Sequence, residues 1–79
     1  MEDQDPLEDA QNSIEKASNA VVQAQSHPSE TMIAQAENSL QKAARAMSAA
    51  VVDDNKQALA ETHHQLARAQ AALNETKSQ

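Results

Sequence analysis

Glycine, cysteine, phenylalanine, tryptophan and tyrosine are all missing from this chain, and proline occurs only at Pro6 and Pro28. Without glycine the ordinary supplier of positive φ is gone, so tight hairpin turns and phosphate-cradling loops lack raw material. Without cysteine there is neither a disulfide framework nor thiolate chemistry. Without aromatics the largest contributors to a core are lost, as are the stacking platforms that hold single-stranded nucleic acid. No stretch approaches the ~18 consecutive apolar residues of a membrane span, and the acidic start, Met-Glu-Asp-Gln-Asp-Pro, has no apolar run of the kind a signal peptide needs. A cytoplasmic location is expected by default, so the Asn74-Glu75-Thr76 sequon is read as chance.

What remains is a helix-former's alphabet. Alanine is the commonest residue, with Gln, Glu, Asn and Ser supplying most of the rest. Seventy-nine residues make one small helical domain, 1–79, preceded within that span by a short acidic segment, 1–5. The formal net charge is −6, and it is uneven: Glu2, Asp3, Asp5, Glu8 and Asp9 stand in the first nine residues with no base among them. Such a chain repels DNA phosphates and anionic lipid, so neither nucleic acid nor membrane is an expected partner. The acidic start reads most simply as solubility and favourable charge at a helix N-terminus. Its functional alternative is a tail that binds a basic surface.

The chain repeats itself with a period of 26 residues. Residues 10–21 (AQNSIEKASNAV) and 36–47 (AENSLQKAARAM) share Ala10/Ala36, Asn12/Asn38, Ser13/Ser39, Lys16/Lys42, Ala17/Ala43 and Ala20/Ala46. A third copy is weaker, carried by Leu66, Arg68, Ala69, Ala72 and Leu73. Leu7, Ile33 and Leu59 also fall in register. A period of this length marks a supersecondary unit repeated to bury a shared face, here one helix and one turn. Within each unit the stripe steps by 3 and 4 residues: Leu7, Ala10, Ile14, Ala17, Val21, Ala24; then Ile33, Ala36, Leu40, Ala43, Met47, Ala50; then Leu59, Thr62, Leu66, Ala69, Leu73, Thr76. This is a heptad seam with large aliphatics at one core position and small residues at the other. The expected core seam is Leu7, Ile14, Val21, Ile33, Leu40, Met47, Leu59, Leu66 and Leu73. The alternation predicts close helix packing and few cavities.

One long helix would not keep that seam aligned. Val21 to Ile33 and Met47 to Leu59 are both 12 residues apart. Twelve residues of unbroken helix turn through about 1200°, which leaves the stripe about 120° out of line. A turn at each junction removes the conflict. Asp5-Pro6-Leu7-Glu8 reads as a cap followed by proline in the first turn. Ser26-His27-Pro28-Ser29-Glu30 ends one helix and starts another. Asp53-Asp54-Asn55 offers a cap for the third, with Gln57 three residues after Asp54. The expected helices are about 6–25, 28–52 and 54–76. Short connections make neighbours antiparallel, giving an all-α, up-down-up three-helix bundle. Leu7, Met47, Val51 and Leu59 should then lie at one end, and Val21, Val22, Met32, Ile33 and Leu73 at the other.

Candidates for chemistry are few. His63 and His64 point ~100° apart on a helix and cannot chelate one ion together, and His27 belongs to the turn at the opposite end of the bundle. The close pair Asp53-Asp54 lies in a turn where Asp is expected as a cap. Calcium loops need more oxygen ligands and a glycine at the bend. No serine has a supporting His and acid arrangement. Lys16, Lys42 and Arg68 recur at one repeat position on three different helices, as do Asn12 and Asn38 at another; a solvated face with intrahelical ion pairs is the simpler reading, and a polar recognition face is the functional alternative. No catalytic, cofactor-binding or metal-binding residue is assigned.

These features point to a non-catalytic helical module that assembles with itself or binds a helical protein partner. Alanines off the seam, namely Ala34, Ala44, Ala49, Ala58, Ala60, Ala67 and Ala71, offer a second contact strip; equally they serve as surface helix formers. The competing expectation is a small acidic regulator or inhibitor whose residues Glu2, Asp3, Asp5, Glu8 and Asp9 bind a basic surface on an enzyme or nucleic-acid-binding protein.

Overall fold

Pro28 cannot continue a helix from its N-terminal side, and the residue before it is driven out of the α region. The first helix accordingly stops at Ser26, its final turn closed by a hydrogen bond from the His27 amide to the Gln23 carbonyl. The structure, a computed structural model, describes residues 6–52 and 54–78. It contains α1 (Pro6–Ser26), α2 (Glu30–Ala50) and α3 (Lys56–Ser78), with no strand among the described residues. Pro6 opens α1, where its missing amide proton costs nothing, and Glu8 and Asp9 sit in that first turn. Asp5, the expected cap, lies outside the described residues, as do Glu2, Asp3 and Asp53.

The capping residues shift two boundaries. Ser29, within the expected Ser26–Glu30 break, caps α2: its extended backbone turns the chain and its hydroxyl accepts from the Met32 amide at 3.1 Å. The helix expected from 28 therefore starts at Glu30. Asn55, not Asp54, caps α3, with Oδ1 accepting from the Ala58 amide at 3.1 Å and its carbonyl taking the Leu59 amide at 3.0 Å. α2 ends at Ala50 with no left-handed residue: Val51 stays in the right-handed region and its amide reaches only the Ser48 carbonyl at 3.5 Å. No described residue has positive φ, so both turns are built without the glycine C-cap common elsewhere.

The helices run up, down and up. Glu37 near the start of α2 pairs with Lys77 near the end of α3, which only an antiparallel pair allows. The molecule measures 40 × 25 × 15 Å, its long axis set by helices of ~35 Å. α1 buries Leu7, Ala10, Ile14, Ala17, Val21 and Ala24. α2 buries Ala36, Leu40, Ala43, Met47 and Ala50, and α3 buries Thr62, Leu66, Ala69, Leu73 and Thr76. The seam alanines of α1 and α2 are fully covered, all six at 0% exposure, whereas Ala69 of α3 keeps 8%. α1 and α2 accordingly meet most intimately, and α3 rests more lightly on both. The threonines that replace alanine on α3 satisfy their own hydroxyls, Thr62 donating to the Ala58 carbonyl at 2.7 Å and Thr76 to the Ala72 carbonyl at 3.0 Å.

Two seam side chains sit farther out than the periodicity predicts, and two valines expected at the bundle ends face solvent. Ile33 and Leu59 pack against the core but are only partly buried. Val22 is 56% exposed and Val51 63% exposed. Val22 lies one position off the seam and so turns ~100° from Val21. Val51 falls beyond the end of α2, in the turn, and does not join the layer of Leu7, Met47 and Leu59.

The caps can be told apart by substitution. Asn55→Ala should lower unfolding free energy by about 1 kcal/mol, a fall in Tm of about 4–8 °C for a domain this small. Asp54→Ala should change it by less than about 0.5 kcal/mol. Thermal and urea unfolding followed by circular dichroism measures both.

Candidate functional site

A seam with two apolar positions per heptad covers a narrower arc of the helix than the roughly three in seven that seal a globular bundle. The flanks of each seam are therefore polar, and where two such flanks meet they leave a crevice. One is an open groove of about 720 Å³ between α1 and α3. α1 contributes Gln11, Glu15, Ser18, Val22 and Gln25, with Asn12 and Asn19 alongside. These are steps of 3, 4 and 7 residues, one face of one helix. α3 contributes Glu61, Gln65, Arg68 and Ala72 in the same spacing. Ile14, Val21, Thr62 and Ala69 form the floor. From Gln11 to Gln25 the groove runs ~21 Å along α1, a length suited to several turns of a helix. The expectation of few cavities is thus corrected: the seam itself is tightly filled, and the open space lies on its polar flank.

A second, smaller groove of about 390 Å³ lies between α2 and α3, beside Glu37, Leu40, Ala44, Gln70 and Leu73. Both grooves flank α3. The α1–α2 crevice, where the alanines meet, supplies neither.

The walls of the larger groove are mostly uncharged amides and hydroxyls. Their ionisable members are Glu15, Glu61 and Arg68. No buried side-chain nitrogen or oxygen among the described residues lacks a hydrogen-bond partner, so the floor aims no unsatisfied polar atom at a small ligand. The groove offers hydrogen-bond donors and acceptors, a shallow apolar floor and one exposed valine.

The residues singled out by sequence scatter. Of the repeated cations only Arg68 lines the groove; Lys16 and Lys42 are exposed on α1 and α2. Of the repeated asparagines only Asn12 does. His27 stands exposed in the first turn, and His63 and His64 are exposed on α3 outside the groove walls. Among the described residues no three His, Asp or Glu side chains could share a metal ion. Ala44 and Ala58 of the proposed second alanine strip pack against the core, and the other five are exposed. Glu8 and Asp9 are exposed at the start of α1. Sequence reasoning passed over Gln11, Ser18, Gln25 and Gln65. Their signal was available: neutral amides and a hydroxyl stand beside the seam where a solvated helix usually carries Glu and Lys.

Two substitutions separate the floor from the wall. Ile14→Ala should cost about 2–5 kcal/mol because Ile14 is only 1% exposed. Val22→Ala should cost less than about 0.5 kcal/mol, as judged by urea denaturation. No helix among the described residues is long and apolar enough to cross a membrane. No family model, characterised protein or solved structure matches the chain.

Proposed function

We propose that the protein is a non-catalytic helical interaction module that seats one helix of a protein partner in the groove between α1 and α3. The single observation that carries this reading is the groove's shape and chemistry together: ~21 Å of open channel along two parallel helices, walled by amides and floored by Ile14, Val21, Thr62 and Ala69. A helix laid there antiparallel to α1 and α3 would stand opposite α2 and complete a four-helix bundle. Helix-in-groove recognition reads side chains at i, i+3, i+4 and i+7, the spacing the groove walls present. Amides on both walls favour a partner helix whose flanks are also polar and uncharged.

A photo-activatable residue placed at Ser18, on the groove wall, should cross-link a protein partner in the source cells. The same residue at Gln35, exposed on α2 and outside both grooves, should not. Equal adducts from both positions would overturn the proposal. Ionic strength separates it from the acidic-regulator reading. Contact through Glu2, Asp3, Asp5, Glu8 and Asp9 would weaken steeply with added salt, while a groove contact built on apolar and amide surfaces would change little.

A further inference from the structure

The turn between α2 and α3 differs from the turn between α1 and α2 in one consequential respect: nothing in it forbids helix. Neither glycine nor proline occurs anywhere beyond Pro28. Val51 already sits at φ −65°, ψ −14°, within the right-handed region. Val51 and Val52 are 63% and 78% exposed, two large apolar side chains with no packing role in the single chain. Residues 51–55 are mediocre helix formers, not breakers. The hinge can therefore extend, and α2 and α3 can fuse into one helix from Glu30 to Ser78.

α3 is also the helix best suited to leave. It packs more lightly than α1 and α2 pack on each other, and both open grooves border it. Its two buried hydroxyls are satisfied by its own backbone, Thr62 by Ala58 and Thr76 by Ala72, so undocking strands neither. Among the described residues, its ion pair with α2 is the exposed Lys77–Glu37 contact.

We propose that two copies of this chain exchange α3, forming a dimer in which each α3 docks on the other copy's α1–α2 hairpin. The closed interface is the one the single chain already uses, so the occupant of the vacated seam is fixed: a second copy's α3, with its own alternation of Leu66, Ala69 and Leu73. The ~120° offset between the α2 and α3 stripes, which rules out one straight seam, is harmless here because the two halves of the fused helix serve different lobes. The two long helices run antiparallel past the hinge, where Val51 and Val52 of both copies come together and lose their exposure. A short linker gives intramolecular docking a high effective concentration, so the single-chain form prevails when dilute and the exchanged dimer appears when concentrated or when refolded from denaturant at high protein concentration. This dimer does not depend on the α1–α3 groove binding a partner.

The chain's lack of cysteine makes the test direct. Full-length Glu37→Cys chain and full-length Lys77→Cys chain are mixed, unfolded, refolded together at high concentration and treated with a short bismaleimide. The exchanged dimer alone sets the two substituted positions of different chains side by side, so a covalent heterodimer of twice the 8.5 kDa chain mass is expected. A second variant, Lys56→Pro, places proline at the first position of α3, where the closed turn gives up only the Lys56 amide's bond to the Asp54 carbonyl and an unbroken helix is broken outright. It should lower the dimerisation constant by at least about a hundredfold while leaving a folded monomer. A chain that stays monomeric to millimolar concentration after refolding, a dimer whose mixed variants fail to link, or a dimer indifferent to Lys56→Pro would overturn the proposal.

Discussion

Alanine at every seventh position of α1 and α2 sets how closely those two helices approach, and the rest of the bundle accommodates that distance. Ala10, Ala17, Ala24, Ala36, Ala43 and Ala50 carry only a methyl group each, and each is wholly covered. Leu7, Ile14, Val21, Leu40 and Met47 then fill the space above and below each alanine contact. Interiors pack at crystal density and respond to a single methylene, so any enlargement at these six sites would force the hairpin apart. The chain has no aromatic side chain to make a thick core. Close approach between thin helices is how it excludes water instead.

The third helix follows the same rule with less commitment. Thr62 and Thr76 take two of the small positions, and a threonine is wider than alanine and carries a hydroxyl. Each hydroxyl turns back on its own helix to find a carbonyl, which avoids the cost of burying an unpaired polar group. It also means that neither forms a bond across the interface. The asymmetry between a tight α1–α2 pair and a lighter α3 thus comes down to a few side chains, and it explains why both grooves border α3.

The grooves have a second cause in the width of the stripe. Two apolar positions per heptad suffice for a coiled-coil seam between two helices. Three helices around one axis ask each helix to face two neighbours, and the residues at the edges of that wider arc are here Gln11, Ser18, Gln25 and Gln65. Long amides do not interdigitate as aliphatics do, so the flank stays open and polar. The open groove and the thin core are two results of the same economical pattern.

Much of the architecture was legible in one dimension. The 26-residue period, the step of 12 between seams and the breaks at Pro28 and at 53–55 dictate three helices folded back on one another, because helical phase accumulates at a known angle per residue. The buried stripe of α1 can be read residue for residue in the same way. Helix propensity alone could not choose Asn55 over Asp54 as the cap, since both side chains are competent and only the path of the chain decides which one meets the Ala58 amide. Nor could periodicity see that Ile33 and Leu59, in register with the buried Leu7, are only partly covered. Those outcomes depend on how neighbouring helices pack. The alternation of large and small residues belongs to the sequence; the groove between α1 and α3 belongs to the tertiary structure, because a crevice exists only when two flanks from distant parts of the chain are held side by side and fail to close.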